Sequence, residues 1–114
     1  MRILVADDEF LILVVIEETL QDAGAEVVSA ATLADAMEAA EDRSLSAAIL
    51  DVRLGRHTTE AVAEILSERS VPFLFHSGQA LPDSIRAKFP HARMLAKPVK
   101  QGAFVTAILE AVHH

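Results

Sequence analysis

Short apolar runs alternate along the chain with segments in which apolar residues recur at helical spacing. The runs are typical of strands and comprise residues 2–6, 26–30, 46–50, 71–75 and 92–96. Apolar positions three or four residues apart predict amphipathic helices between and after these runs. They are Leu33, Ala36, Met37 and Ala40; Val62, Ile65 and Leu66; Leu81, Ile85 and Phe89; and Phe104, Val105, Ile108, Leu109 and Val112. Residues that suit helix ends agree with this division, namely Gly24, Thr32, Thr58 and Pro82.

Residues 11–16 have the propensity of a strand, because all six are Leu, Ile or Val. They follow the first strand after three acids and without a hairpin turn, so we predict a helix there. Five strands and five helices then alternate. Repeated right-handed crossovers give a doubly wound parallel sheet of five strands in the order 2-1-3-4-5. The 114 residues suit one domain, which we assign to residues 1–114.

The rotation of this first helix is open to two interpretations. In the first, the sheet is faced by Ile12, Val15, Ile16, Leu20 and Ala23, while an apolar outer face is formed by Phe10, Leu13 and Val14. An exposed apolar face usually marks a surface for another protein or a second copy of the chain. In the second interpretation the helix is rotated, and Leu13 belongs to the core.

Composition and charge exclude several classes of protein. Hydrophobic residues make up 52% of the chain, and the only aromatic residues are five Phe, as expected of a parallel sheet buried between helices. The net charge of −7 argues against nucleic-acid binding, and the absence of Cys excludes disulfides. The longest apolar run, residues 10–16, is far shorter than the roughly 20 residues that span a bilayer. These features predict a cytoplasmic protein without a membrane segment.

Three acids follow two strands that are neighbours in the predicted sheet. Asp7 and Asp8 come directly after the first strand, and Asp51 comes directly after the third. The carboxyl ends of parallel strands meet at one edge, where ligands bind at the switch in strand order. Clustered carboxylates repel each other, and a hard divalent cation such as Mg²⁺ relieves that repulsion. Asp7 and Asp8 alone are explained equally well as solvated turn residues, but the addition of Asp51 favours a site.

Two further strand ends carry polar side chains that suit a phosphorylated carboxylate. Ser77, beside Gly78, follows the fourth strand, and Lys97 follows the fifth. If Asp51 is the nucleophile, the Ser77 hydroxyl and the Lys97 ammonium can each hold a phosphoryl oxygen. Phosphoryl transfer needs chiefly such positioning and charge compensation. Each of these residues alone is a weak signal, but polar groups at four strand ends in register are specific.

Four segments resemble the response-regulator receiver family of two-component signalling, over nearly the whole chain. They are residues 3–9 (ILVADDE), 48–54 (AILDVRL), 75–78 (FHSG) and 97–98 (KP). The resemblance implies a flavodoxin-like (βα)5 fold. It implies that Asp51 is the phosphoacceptor, supplied by a sensor histidine kinase or a histidine phosphotransfer protein. Such a module assists its own phosphorylation and dephosphorylation, has no external substrate, and signals through a downstream protein partner.

The same resemblance assigns the remaining site residues. Asp8, Asp51 and the backbone carbonyl of Arg53 would bind Mg²⁺, with Asp7 acting through water. Ser77 would be the hydroxyl that responds to phosphorylation, and Lys97 the cation of the site. The peptide bond from Lys97 to Pro98 is expected to be cis, as is usual in the family.

The chain departs from the family pattern at several positions. Met94 stands three residues before Lys97, where family members commonly carry Tyr or Phe, so the chain has no aromatic ring at this position to act as a switch. Residues 72–78 partly match a receiver subgroup, often stand-alone, with the motif Pro-Phe-x-Phe-Ala-Thr-Gly. His76 interrupts that motif, either as a pH-sensitive group or, as we prefer, as a strand-end residue that points away from Ser77. Arg53 either overhangs the phosphoryl group and tunes its lifetime, or is an exposed loop residue.

Two functions from other classes remain as alternatives. A small-molecule phosphatase or phosphotransferase with an aspartyl nucleophile would use Asp7, with Glu9 as the acid two residues later. The chain is too short for the cap domain of such enzymes, and Asp51 would have no role. A flavin-binding module of the same fold is disfavoured, because the acidic edge would repel the cofactor's phosphate.

Overall fold

A sheet of five parallel strands forms the centre of the protein and carries the candidate site on one edge. The computed structural model describes residues 1–97 and 100–112. Numbered in chain order, the strands of this sheet are β1 (Arg2–Ala6), β2 (Glu26–Ala30), β3 (Ala47–Asp51), β4 (Phe73–Ser77) and β5 (Arg93–Ala96). They pair in parallel in the order β2-β1-β3-β4-β5, which confirms the predicted topology.

Helices cover both faces of the sheet. They are α1 (Phe10–Asp22), α2 (Leu33–Ala40), α3 (Glu60–Glu68), α4 (Asp83–Lys88) and α5 (Gln101–Val112). Alternate residues of β3 enter two different cores, because successive side chains of a strand point to opposite faces. Ala47 and Ile49 pack in the core that includes α1 and α5. Ala48 and Leu50 pack in the core that includes α2, α3 and Ile85 of α4.

Two strands reach further towards the site than the sequence predicts. We predicted residues 46–50 and 71–75, whereas β3 ends at Asp51 and β4 ends at Ser77. The parallel ladder between them continues to the pair Asp51 and His76. At the other end, the amide of Val71 donates to Leu66 at the end of α3, so this residue belongs to the helix terminus and not to the strand. Asp51 and Ser77 are therefore held by the sheet itself.

The first interpretation of α1 is wrong for three residues. Leu13 is buried, whereas Val15 and Ala23 are exposed. The physical reason is that α1 packs against α5 as well as the sheet, and Leu13 joins the buried cluster that contains Phe104 and Ile108 of α5. Phe10 lies outside as predicted, 73% exposed, and its neighbour Leu11 is 77% exposed.

The helix ends agree with the predicted residues in two cases and differ in a third. Gly24 adopts a φ of 93° and its amide donates to Gln21, which ends α1 as predicted. The Thr32 hydroxyl accepts the amide of Asp35 and caps α2. The predicted cap of α3, Thr58, is wrong, because Thr59 precedes α3 and its hydroxyl is turned towards β3 instead.

A short antiparallel hairpin connects β3 to α3 and was not predicted. Its arms are Arg53–Leu54 and His57–Thr58. Gly55 at the turn has a φ of 61°, a conformation that glycine adopts without strain. Leu54 points into the core and anchors the hairpin beside the carboxyl end of β3.

Candidate functional site

Three carboxylates meet at the carboxyl end of β1 and β3. Asp7 follows β1 and is 1% exposed, Asp51 ends β3 and is 8% exposed, and Asp8 is exposed. One oxygen from each lies within 4.8 Å of the others. The structure therefore brings together the three acids that the sequence predicts to be close.

The Lys97 ammonium reaches into this cluster from the end of β5. Its Nζ lies 3.2 Å from Asp51 Oδ2 and 3.6 Å from Asp7 Oδ2, and 3.4 Å from Glu9 Oε1. Partial burial opposes the charge of Lys97, but the charges of Asp51 and Asp7 raise its pKa above the ordinary value. The lysine is therefore held in its charged form beside the Asp51 carboxylate.

Asp7 is the least satisfied of the three acids. Its Oδ1 accepts the amide of Glu9 at 2.8 Å, whereas its Oδ2 is buried without a hydrogen-bond partner among the described residues. Burial raises the pKa of Asp7 to about 6, and the charge of Asp51 adds to this effect. A buried carboxylate oxygen that accepts no hydrogen bond, beside two other carboxylates, fits a hard divalent cation such as Mg²⁺, which takes oxygen ligands.

Ser77 lies at the same edge of the sheet, at the end of β4. Its hydroxyl accepts the amide of Gln79 at 3.1 Å, and its carbonyl accepts the amide of Lys97 at 2.8 Å. The neighbouring pair in the ladder, Asp51 and His76, fixes the level of Ser77 relative to the acids. The hydroxyl accepts this bond through a lone pair, so its own proton remains available to donate to a phosphoryl oxygen.

The hairpin places backbone amides beside two of the acids. The amide of Arg53 donates to Asp51 Oδ1 at 3.4 Å, and the amide of Gly55 donates to Asp8 Oδ2 at 2.9 Å. The Arg53 side chain is exposed, and it forms no ion pair within the part of the chain that the structure describes. Sequence reasoning missed this hairpin. Gly55, between Val52-Arg53-Leu54 and Arg56-His57-Thr58, was the available signal.

Thr59 is a buried polar residue that sequence reasoning also missed. It is completely buried, and its hydroxyl donates to the carbonyl oxygen of Asp51 at 2.8 Å. Because a threonine before a helix is usually read as a cap, its sequence position pointed to α3 and not to the strand.

Glu9 and Asp7, the pair considered for a phosphatase, do not have the same environment. Glu9 is exposed and is paired with Lys97. A nucleophile must be reached by its substrate, and the Asp7 side chain is more deeply buried than that of Asp51. The geometry therefore favours Asp51 as the reactive carboxylate.

Comparisons with known proteins agree with this arrangement. The model of the response regulator receiver domain matches residues 3–109. The chain belongs to the response-regulator receiver family. It is therefore a phosphoacceptor module of two-component signalling, and receiver domains interact with kinases or phosphotransfer proteins and with effector partners.

Solved receiver structures have the same fold. A response regulator receiver protein of Sinorhizobium medicae is 27% identical, with a TM-score of 0.89 over 99% of this chain and 94% of that one. A CheY-like receiver domain protein of Methanospirillum hungatei is 22% identical, with a TM-score of 0.87 over 98% and 93%. The non-phosphorylated receiver domain of HemR from Leptospira biflexa is 23% identical, with a TM-score of 0.86 over 99% and 94%. No curated protein matches the chain in sequence.

Receiver domains bind Mg²⁺ at an acidic pocket, and the three aspartates of this chain form such a cluster. Receiver domains are typically signalling domains and not enzymes. None of the helices in the described residues is long and apolar enough to cross a bilayer. The expected cis peptide bond before Pro98 lies outside the described residues.

Two departures from the receiver pattern can now be located. His76 is buried, its ring meets Phe104 edge-on at 5.1 Å, and its Nδ1 lies 4.0 Å from Asp7 Oδ2. Burial, followed by the charge of Lys97, lowers the pKa of His76 to about 4, so the imidazole is neutral near pH 7. The preferred interpretation of His76 as a strand-end residue is consistent with this packing. Met94 lies on β5 and is partly exposed.

Proposed function

We propose that residues 1–114 form one receiver domain in which Asp51 accepts the phosphoryl group. The observation that carries the proposal is the position of Lys97, whose ammonium lies 3.2 Å from Asp51 Oδ2 at the centre of the acidic cluster. The ammonium offsets negative charge where a phosphoryl oxygen would arrive. Asp51 is also the accessible member of the buried pair of acids, and it ends a strand, which holds it rigidly.

In the proposed reaction an oxygen of Asp51 attacks the phosphorus of a phosphohistidine. The new bond joins phosphorus to oxygen, the bond between phosphorus and nitrogen breaks, and the departing imidazole takes up a proton. Lys97 and the Ser77 hydroxyl each donate to one phosphoryl oxygen, and the Ser77 hydroxyl can do so while it still accepts the Gln79 amide. The amide of Arg53, already directed at Asp51, is available to a further oxygen.

The proposed metal is Mg²⁺, held by Asp8, Asp51 and the backbone carbonyl of Arg53, with Asp7 acting through water. When bound, it neutralises phosphoryl oxygens during transfer. The fit rests on the three clustered carboxylates and on the buried Asp7 oxygen that has no hydrogen-bond partner among the described residues. The Gly55 amide occupies one oxygen of Asp8, which leaves the other oxygen for the metal.

Incubation with acetyl phosphate and Mg²⁺ tests the assignment of Asp51. The expected result is one acid-labile phosphoryl group per chain, detected by intact mass and by mobility in a phosphate-affinity gel. Asp51→Asn should carry none, and Asp42→Asn, an acid at the opposite end of the sheet, should carry one. Multiple-turnover release of phosphate that survives Asp51→Asn but is lost in Asp7→Asn would support the phosphatase instead.

We further propose that the phosphoryl donor, a sensor histidine kinase or a histidine phosphotransfer protein in the cytoplasm, docks on α1. The exposed side chains of Phe10, Leu11 and Val15 form an apolar surface on this helix. A groove of about 300 Å³ continues from Leu11 and Val15 to Lys97, which belongs to the acidic cluster. A helical donor seated there would have its phosphohistidine close to Asp51.

The docking proposal is tested by comparing two donors. Leu11→Gln should leave phosphorylation by acetyl phosphate unchanged and slow transfer from the phosphorylated kinase encoded nearest to this chain's gene. Leu109→Gln, on the exposed part of α5, is the matched control. Equal transfer to both variants would reject α1 as the docking surface. A concentration-dependent mass for the wild type that is lost in Leu11→Gln would assign the surface to a homodimer.

The signal is proposed to leave through the face formed by α4, β5 and α5, towards a downstream protein partner. Met94 lies on this face at the position where family members commonly carry an aromatic ring. Its flexible side chain can repack when Ser77 moves. Phosphorylation then shifts a two-state equilibrium of this face.

A further inference from the structure

The segment that follows Asp51 is a closed loop, fastened at its tip and at its base. At the tip, the Gly55 amide donates to Asp8 Oδ2 at 2.9 Å. At the base, the backbone amide of Thr59 donates to the carbonyl of Val52 at 2.9 Å. The two arms of the hairpin pair between these points, and Leu54 is buried beneath them. The loop therefore has few ways to move independently of the acids.

Thr59 carries a second bond at the base, and this bond reaches the acceptor residue itself. Its hydroxyl lies 2.8 Å from the carbonyl oxygen of Asp51 and 3.5 Å from that of Val52. The side chain makes no capping bond to α3, although the Thr59 carbonyl accepts the amide of Ala63 in the first turn. One fully buried residue thus joins the start of α3 to the peptide unit between Asp51 and Val52.

We propose that Thr59 is a positioning residue for the acceptor and for the metal site, an inference that rests on the proposed function of Asp51. Its hydroxyl fixes the plane of the peptide unit that follows Asp51. The next peptide unit joins the Val52 carbonyl to the Arg53 amide, and Thr59 holds that carbonyl through its backbone amide at 2.9 Å and its hydroxyl at 3.5 Å. The Arg53 amide so oriented lies 3.4 Å from Asp51 Oδ1. The Arg53 carbonyl, the backbone ligand proposed for Mg²⁺, follows directly after the two peptide units that Thr59 holds. Residues that orient ligands through hydrogen bonds affect metal affinity without touching the metal.

The chemistry of the position limits which side chains can do this. The hydroxyl is a donor to a buried carbonyl, and no water reaches the site, because Thr59 is 0% exposed. Valine has the shape of threonine but lacks the donor, so it leaves the Asp51 carbonyl without this bond. Serine keeps the donor and lacks only a methyl group. A comparison of the valine and serine variants therefore separates the effect of the lost hydrogen bond from the effect of altered packing.

The experiment compares Thr59→Val, Thr59→Ser and a neighbouring control, Thr58→Val, in the complete chain. Mg²⁺ affinity is measured by titration of the Arg53 and Gly55 amide resonances, without any phosphoryl donor. Thr59→Val should weaken Mg²⁺ binding by about tenfold or more. It should also shift both resonances before metal is added, and slow phosphorylation by acetyl phosphate. Thr59→Ser should restore all three properties, and Thr58→Val should match the wild type.

The outcomes distinguish a failure of the proposed function from a failure of the role assigned to Thr59. A wild-type chain that neither binds Mg²⁺ nor takes up phosphate would reject the proposed function. A functional wild type together with a folded Thr59→Val of normal Mg²⁺ affinity would reject only the role of Thr59. If Thr59→Val does not fold, Thr59→Cys replaces it, because a thiol is a weak donor on a similar side chain. Its Mg²⁺ affinity should then lie below that of Thr59→Ser, and equality of the two would overturn the inference.

Discussion

Charged side chains are paired completely at one end of β1 and incompletely at the other. At the amino end, Arg2 donates to Glu26 and to Asp42, each at 2.8 Å. Hydrogen bonds from Ser44, together with Arg2, hold the pKa of Asp42 below its ordinary value. At the carboxyl end, burial raises the pKa of Asp7 to about 6, and one oxygen of Asp7 has no hydrogen-bond partner among the described residues. An aspartate is thus fully paired at the amino end of β1 and incompletely paired at the carboxyl end.

The difference shows what the fold does with its charges. Arg2 and its partners are matched within the chain, so they contribute to the folded state without any addition. The acids beside Lys97 exceed the positive charge available to them and lie partly out of water. These acids favour a cation that completes their contacts, whereas the Lys97 ammonium favours a phosphoryl oxygen. The charged groups that are incompletely paired at the carboxyl end of the sheet are therefore the groups available for chemistry.

The largest expected effect separates the two cations of this comparison. Lys97→Met should slow phosphorylation by acetyl phosphate by roughly 10²- to 10³-fold, because it removes a preorganised donor to a phosphoryl oxygen. Arg2→Met should leave that rate unchanged, because Arg2 lies at the other end of β1. Initial rates of phosphorylation at a fixed Mg²⁺ concentration measure both. A rate for folded Lys97→Met within about twofold of the wild type, below the range expected for such a donor, would show that Lys97 has no role in the transfer.

The next effect concerns stability and has opposite signs at the two ends. With the metal removed by a chelator at pH 8, Asp7→Asn should raise the free energy of unfolding by on the order of 1–3 kcal/mol, because it removes a buried charge that the site disfavours. Asp42→Asn should lower the free energy of unfolding, because it removes a charge that Ser44 and Arg2 favour. Urea unfolding measures both variants. Destabilisation in both would mean that the Asp7 carboxylate is as well satisfied as that of Asp42.

The stability gained in Asp7→Asn should depend on pH in a defined direction. The folded chain binds a proton at Asp7 more tightly than the unfolded chain, since the pKa rises from 3.8 to about 6. Protonation therefore stabilises the folded wild type below pH 4, and this contribution is lost as the pH rises through about 6. The difference in free energy between Asp7→Asn and the wild type should grow from pH 4 and level off above pH 7.

His76 would hide this trend in the wild type alone. Its pKa falls from 6.5 to about 4 on folding, so its contribution to stability is lost as the pH decreases through the same window. Because both proteins in the comparison contain His76, its contribution largely cancels in the difference. A difference that stays flat between pH 4 and 7 would contradict the raised pKa of Asp7.

The sequence predicted the residues of the acidic cluster better than the packing and the hydrogen bonds that hold them in place. Asp7, Asp51 and Lys97 were found because each comes at or directly after a strand, and the sheet order brings those strands together. The sequence left two rotations of α1 open, because both faces of the helix are apolar and only contact with α5 favours Leu13 over Val15. Thr59 was missed because its partner is a backbone carbonyl, which leaves no pattern in the side chains.

The smallest expected effect concerns the exposed rim of the site. Arg53 lies two residues after Asp51, and its side chain forms no ion pair within the described part of the chain. Once Asp51 is phosphorylated, an exposed guanidinium beside it can pair with the phosphoryl group and limit the approach of water. Exposed ion pairs contribute at most about 1 kcal/mol, so Arg53→Ala should shorten the lifetime of the phosphorylated form by about two- to fivefold.

The control for this rim lies on the same hairpin. Arg56 is exposed at the turn beside Gly55, so Arg56→Ala removes an equal charge from the chain at a position further from Asp51. Phosphate loss is followed in excess Mg²⁺ after the donor has been removed. A shorter lifetime for Arg53→Ala alone would show that the exposed Arg53 side chain also acts on the phosphoryl group. An unchanged lifetime would confine such action to the buried acids, Lys97 and the strand ends that hold them, and equal shortening in both variants would assign the effect to net charge.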